Sequence, residues 1–394
     1  MKKYKFSEAV KRLKSSEIRE LMKLTTRPNL IVFGGGSPDP QLFPYESVKK
    51  IQSKWDAEKA AMAYQYGPTP GIPPIQKALR SWVTDHHISL EGQSIFVSSG
   101  AQQSLSLISC AFVNLGTKIV VENPTFIGAM ACFQINGAEF LWAELENDGV
   151  DLNQLESYFK NDKPVFFYTI PNFQNPSGIT MSMQKRMELL ELAHKYQVLI
   201  IEDDPYVELY YEGSPEDYRS LKSLDKNNIV INIGTFSKML SPGMRVGWMV
   251  GPELPVSKCE VARQSQDACG SSFTQMLCAD YVSSGMIYPS LEKIREGYRI
   301  KRNLMKNAIE SYFPDWIKRS EPKGGFFFWI DLQGRIGSKE LFKRAIDKGV
   351  AVITGHAFMP PGDGERCCRL SFSSSKKEDI GKGIKILGDI LKKL

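Results

Sequence analysis

The chain has 394 residues, 42% of them apolar and 24% charged, enough to bury a large core and more than one simple domain needs, which excludes a disordered chain. Fifty Lys and Arg against 44 Asp and Glu give a formal charge of +6 with the signs interspersed, a pattern that argues against a nucleic-acid partner and allows small anionic ligands. Seven cysteines without regular spacing or a C-x-x-C pair argue against a disulfide framework, and no run reaches the roughly 18 apolar residues of a membrane span, so a cytoplasmic protein with reduced thiols and no membrane contact is expected.

In chain order, residues 6–24 carry an amphipathic helical pattern (Val10, Leu13, Ile18, Leu21, Met22), followed by Pro28 and the glycines Gly34, Gly35 and Gly36. Short β-rich runs at 95–97, 118–121, 140–145, 165–170, 198–201, 229–233 and 245–250 alternate with helical periodicity, clearest over 102–115 and 183–196. That alternation predicts an α/β domain built on a mostly parallel, seven-stranded sheet covered by helices. A long helix over 289–312 then leads into strands at 325–332, 350–353 and 368–372 with helices over 339–348 and 378–393, a smaller α+β domain. The expected division is 1–45 as an N-terminal segment returning to the small domain, 46–288 as the large domain and 289–394 as the small one.

Several strand ends carry chemistry. Ser98-Ser99-Gly100-Ala101-Gln102-Gln103 follows a strand and opens a helix, which sets free N–H groups and the positive end of the helix dipole at one point. It reads either as an anion seat or as an ordinary strand-to-helix turn. Asn175, in Pro171-Asn172-Phe173-Gln174-Asn175-Pro176-Ser177-Gly178, follows the next strand, and Glu202-Asp203-Asp204-Pro205-Tyr206 ends another, both at the edge where α/β ligands collect. Adjacent acids suit magnesium, but none of the four histidines stands in ligand spacing with them, so no metal is expected. Lys238, in Thr235-Phe236-Ser237-Lys238-Met239-Leu240-Ser241-Pro242-Gly243-Met244-Arg245, joins an amine to a Ser-Pro-Gly turn and an arginine. An amine, a carboxylate, an amide, a phenol and a phosphate seat are together what pyridoxal phosphate needs.

On these motifs, and on Gly35-Gly36-Ser37-Pro38 and Arg369-Leu370-Ser371-Phe372, the chain resembles the fold-type I pyridoxal-phosphate (PLP) enzymes. It is most similar to the class I/II aminotransferase branch that includes 2-aminoadipate, kynurenine and aromatic aminotransferases and the effector domains of MocR-type regulators. The resemblance implies that Lys238 holds the cofactor as a Schiff base and shuttles protons, and that Asp203 partners the pyridine nitrogen. It implies that Asn175 and Tyr206 meet the ring oxygen, and that Gly100, Ala101, Gln102, Thr235, Ser237 and Arg245 hold the phosphate. Phe126 then stacks on the ring, Tyr66 reaches in from a second subunit of a homodimer, and Arg369 with Gly36 meets the substrate carboxylate. Ala101 stands where the family often has Ser or Thr, and Phe126 where it often has Tyr, so one phosphate contact and one phenol are missing. Arg19, on the predicted N-terminal helix, reads either as a contact to the distal carboxylate of an acidic substrate or as a helix-surface charge.

The activity implied is transfer of an amino group from an L-amino acid (2-aminoadipate, aromatic, branched-chain or similar) to a 2-oxo acid such as 2-oxoglutarate. A lyase or decarboxylase on the same fold is the alternative. A MocR-type effector domain is disfavoured, because the residues ahead of Gly34 are too few for a DNA-binding module.

Overall fold

The computed structural model describes residues 4–13 and 30–394. Of the helix expected over 6–24, the described part is Glu8–Lys11, capped by Ser7 Oγ, which accepts the Val10 N–H at 3.3 Å. Val10 is 48% exposed there, so this turn presents no buried apolar face. Arg12 behind it donates to the Ile135 carbonyl at 3.2 Å. Arg19 lies outside the described residues.

Strand β1 (Ile31–Val32) pairs outside the main sheet. The main sheet contains β2 (Gln93–Ser98), β3 (Lys118–Asn123), β4 (Glu139–Glu146), β5 (Gly149–Val150), β6 (Phe166–Thr169), β7 (Leu199–Asp203), β8 (Val230–Thr235) and β9 (Gly247–Pro252), in the order β2-β9-β8-β7-β6-β3-β4-β5. From β4 through β3, β6 and β7 to β8 every pairing is parallel. β9 runs antiparallel between β8 and β2, and β5 antiparallel to β4. The sheet therefore has eight strands where seven were expected: β5 is only two residues long, too short to leave a periodicity.

Helices cover both faces, which is why β6 and β8 are buried at every position and do not alternate between apolar and exposed polar residues. Side chains alternate along the strands. Val121, Tyr168, Ile201 and Ile233 pack on one face against Leu105 and Ile108 of the helix Ala101–Phe112 and Phe133 of the helix Ile127–Gln134. Val120, Phe167, Ile200 and Val230 pack on the other against Leu155, Leu189 and Ala193. The helix Met183–Tyr196 on that side starts at Ser182, whose hydroxyl accepts the Lys185 N–H, and stops at Gln197 in a left-handed conformation.

The second sheet contains β10 (Lys318–Arg319), β11 (Phe327–Asp331), β13 (Ile353–Thr354) and β14 (Cys367–Ser371), antiparallel in the order β10-β11-β14-β13, with β12 (Val350–Ala351) pairing in parallel with β1. Its core joins Phe326, Phe328 and Leu370 to Ile294, Tyr298 and Met305 of the helix Ile287–Tyr312 and to Ile380, Ile384 and Leu387 of the helix Lys377–Leu391. The long helix begins at Ile287, two residues before the expected start, because Pro289 falls in its first turn, where a missing N–H costs nothing. The N-terminal segment is stitched to this sheet: Phe33 N–H donates to Ala351 at 2.8 Å and Ser371 N–H to the Phe33 carbonyl at 2.7 Å. These bonds deliver Gly34, Gly35 and Gly36 beside Arg369, at the centre of β14. Among the described residues no helix is long and apolar enough to cross a membrane.

Candidate active site

The parallel strands end at one edge, and the sequence motifs arrive there together. β7 ends at Asp203 and β8 at Thr235, while β2 leads into Gly100 and β6 into Asn175. β9 runs the opposite way, so its start brings Arg245 to the same edge. The strand expected from 245 begins at Gly247, because Arg245 itself is left-handed (φ 52) at the end of the Pro242–Met244 turn.

Asp203 is 2% exposed. Its Oδ2 accepts the Tyr168 hydroxyl at 2.8 Å, while Oδ1 is buried with no partner. Burial pushes this carboxyl up to about 6, opposed by the Tyr168 hydrogen bond and by Lys238. Its neighbours point elsewhere, as strand alternation requires. Glu202 takes the N–H groups of Leu221 (2.6 Å) and Lys222 (3.0 Å) and the Asn232 amide (3.0 Å), and Asp204 accepts the Asn172 amide on both oxygens at 3.1 Å. Three consecutive acids thus serve separate environments.

Lys238 is partly buried, and its Nζ donates to the Gly36 carbonyl at 3.1 Å. It lies 5.4 Å from the Phe326 ring centre and 5.8 Å from that of Tyr206. Burial, then the charges of Arg369 and Arg245, pull its amine down to about 8 against the pull of Asp203. Burial likewise pushes the Tyr206 phenol upward, against Arg369 and the Asn175 amide beside it.

Arg369 is 1% exposed. Its Nη1 donates to Asn175 Oδ1 and its Nη2 to the Gly34 carbonyl, both at 2.7 Å, and its Nε is buried with no partner. Both hydrogen bonds go to neutral oxygens. The rings of Phe327 and Phe358, at 4.3 and 4.8 Å, wall the guanidinium, and burial pulls its pKa down to about 10. A buried cation without a carboxylate is costly, and a ligand carboxylate would remove that cost.

The anion seat forms at Gly100 (φ 91), where the helix Ala101–Phe112 starts with no side-chain cap. Arg245 crosses it and donates to the Ser99 carbonyl at 2.9 Å. A Cβ at Gly100 would stand 2.8 Å from Arg245 Nη2, so glycine permits this approach. Thr235 Oγ1 accepts the Ser237 N–H at 3.1 Å and lies 2.9 Å from the Ser237 hydroxyl, which fixes the turn before Lys238. The Gln102 side chain turns away and donates to the Gly128 carbonyl at 2.8 Å, tying the seat to the helix that Phe126 opens.

The structure therefore brings together Gly36, Gly100, Ala101, Gln102, Phe126, Asn175, Asp203, Tyr206, Thr235, Ser237, Lys238, Arg245 and Arg369 along this edge. Tyr66 does not join them: it is 89% exposed on this chain. Sequence reasoning missed Tyr168, Phe326, Phe327 and Phe358. Tyr168 becomes visible only through the parallel register, which sets it beside Ile201 on the face of Asp203.

Residues 28–387 match the family of aminotransferases of class I and II. The chain is 39% identical to an aromatic-amino-acid aminotransferase of Thermococcus litoralis over 98% of its length and 94% of the relative's. It is 34% identical to a 2-aminoadipate transaminase of Thermus thermophilus over 99% and 97% of the two chains. In structure it is similar to a kynurenine aminotransferase of Pyrococcus horikoshii solved in complex with PMP (TM-score 0.95, 38% identity, 98% and 97% covered).

The residues present fit the PLP of that family. The partnerless Asp203 Oδ1 suits a protonated ring nitrogen, the lowered Lys238 amine suits a carbonyl carbon, and the uncapped helix start under Arg245 suits a phosphate. Pyridoxal phosphate is the cofactor, and the chain belongs to the class I and II aminotransferases, as a PLP-dependent aminotransferase acting on small amino and oxo acids.

Proposed function

We propose that this aminotransferase takes the amino group of aromatic, branched-chain and 2-aminoadipate-like L-amino acids and passes it to a 2-oxo acid, with 2-oxoglutarate as the acceptor. The observation that carries the reading is the buried Arg369, with a free Nε and no anionic partner, on the same aromatic-walled site as the Lys238 amine. Arg369 grips the α-carboxylate beside Gly36, and Phe326, Phe327 and Phe358 offer the side chain an apolar wall. Arg19 supplies a contact for the distal carboxylate of acidic donors.

When bound, PLP supplies an electron sink for the substrate α-carbon. Lys238 would be the residue that holds it, and its amine would be the group that carries the proton from that carbon. Asp203 Oδ1 accepts the ring N–H and keeps the proton there, while Tyr168 holds Oδ2 and fixes the carboxylate plane. Asn175 and Tyr206 would donate to the ring oxygen, Phe126 would face the ring, and the backbone of Gly100, Ala101 and Gln102 would hold the phosphate with Thr235, Ser237 and Arg245.

The same reading makes the protein a cytoplasmic homodimer in which Tyr66 serves the partner's phosphate site. Supporting it are the exposure of Tyr64 and Tyr66, at 74% and 89%, and seven cysteines that are all free. It also divides the chain into an N-terminal segment (1–45), a cofactor domain (46–288) and a small domain (289–394), with one main sheet in each of the last two.

Mixing the PLP-loaded protein with phenylalanine, kynurenine, leucine and 2-aminoadipate, and following the cofactor absorbance, tests the donor range. Conversion to the pyridoxamine form is expected with each, and its reversal by 2-oxoglutarate. Absence of conversion with all four overturns the reading.

A further inference from the structure

One buried acid at this edge has no part in the chemistry above. Glu122, next to last in β3, is 1% exposed. Alternation along β3 puts it with Val120 on the face of the sheet opposite Asp203 and Tyr168. It accepts the Thr169 hydroxyl, the Ile170 N–H at 3.3 Å on both oxygens, and the Gln174 amide at 3.0 Å. Gln174 is equally buried, and the same amide nitrogen donates to the Pro124 carbonyl at 2.7 Å while its oxygen accepts the Ser177 N–H at 2.8 Å.

The bonds tie two loops. Pro124 leads to Phe126, and Gln174 immediately precedes Asn175. The first loop also reaches the second sheet, since the Thr125 N–H donates to the Phe358 carbonyl at 2.8 Å, and Phe358 walls Arg369. Burial pushes the Glu122 carboxyl up to about 7, opposed by Thr169, Gln174 and Ile170 and reinforced by Asp203, so the three donors hold an acid that burial disfavours. A pair of apolar side chains would fill this space at lower cost but would leave the Pro124 carbonyl and the two loops unlinked.

We propose that Glu122 and Gln174 are positioning residues: through one shared amide they hold the loop bearing Phe126 and the loop bearing Asn175 as a single unit, and so set the stacking ring and the ring-oxygen donor relative to each other. The proposal rests on the reading that Phe126 and Asn175 meet the cofactor.

Three variants separate this role from plain stability. Gln174→Leu removes both loop-tying bonds, Glu122→Gln keeps the shape of the acceptor, and Thr169→Val removes a donor to the same acid that ties neither loop. The readouts are PLP dissociation from each cofactor-free protein, the induced circular dichroism of bound PLP, and kcat and KM for phenylalanine. Gln174→Leu is expected to weaken PLP binding about tenfold, the worth of one buried hydrogen bond, alter the induced band and lower kcat more than it raises KM. Glu122→Gln should shift the same readouts in the same direction by a smaller factor, and it decides the matter if Gln174→Leu does not fold. Thr169→Val should stay within about twofold of the parent throughout. Folded Gln174→Leu, or Glu122→Gln in its place, with the parent's PLP affinity, induced band and kcat overturns the clamp, as does a Thr169→Val defect of equal size. Failure of the parent itself to bind PLP overturns instead the reading on which the clamp rests.

Discussion

Asp203 and Lys238 show how burial tunes a site before any ligand enters it. The carboxyl rises to about 6 and the amine falls to about 8, each because its charged form is stripped of water. The amine that attacks a carbonyl is the neutral one, so covalent capture of PLP by cofactor-free protein should accelerate from pH 6.5 upward and level off above about 8, as stopped-flow absorbance would show. The same shift acts on stability. Folding lowers the lysine's proton affinity, so between about pH 8 and the ordinary lysine value the unfolded chain binds more protons, and stability gains with rising pH. Below about 8 the penalty is constant. Lys238→Met should therefore stabilise the cofactor-free protein at pH 7 and erase the gain above 8 in urea unfolding. Asp203→Asn keeps the shape but not the charge, and should lower kcat by about 10² to 10³ with far less loss of PLP affinity. Arg369→Ala should cost about 1.5 to 3 kcal/mol in kcat/KM for every amino donor, because it deletes a charged contact made at the common carboxylate.

At the scale of elements, the turn at Gly100 and the start of β9 form one piece. A Cβ at Gly247 would stand 2.8 Å from the Gly100 carbonyl carbon and 2.9 Å from the Ala101 nitrogen, backbone atoms with nowhere to move. Gly247→Ala should push the phosphate seat open, costing about 1 to 3 kcal/mol of stability and weakening PLP binding, measurable by denaturant melts and titration. Most of the seven longer strands of the main sheet were legible because they are buried, mainly apolar runs closed by a turn; β4, half-exposed, was legible from Phe140 to Leu145 alone. What could not be read was shorter or conformational. β5 is two residues, and Arg245 takes a left-handed turn that periodicity does not reveal. Residues 8–11 form one exposed helical turn, the described part of the helix expected over 6–24. Within the site, Lys238, Asp203 and Asn175 stood out as charged or amide residues at or just past strand ends, whereas Arg369, at the centre of β14, was reached only through the family resemblance. Tyr168, Glu122 and Gln174 lie inside ordinary strand and loop text, and their roles come from register and loop contacts between distant segments.

Across the whole molecule the site exists only because two sheets meet. Asn175 and Lys238 come from the edge of the first; Arg369 sits in the second, and Gly34 and Gly36 in the segment stitched to it. The bonds Arg369 to Asn175 and Lys238 to Gly36 span 194 and 202 residues of chain. The proposed homodimer would add Tyr66 as a third contributor; on that proposal sedimentation should show a particle of two 44.4 kDa chains, and a monomer with full activity would remove Tyr66 from the site. The central claim, that one lysine carries the cofactor and the chemistry, meets its most direct test in borohydride reduction of the PLP-loaded protein followed by peptide mapping. The account predicts a single cofactor adduct on Lys238, absent from Lys238→Ala, which stays folded and without turnover; an adduct on any other lysine, or turnover surviving that substitution, would contradict it.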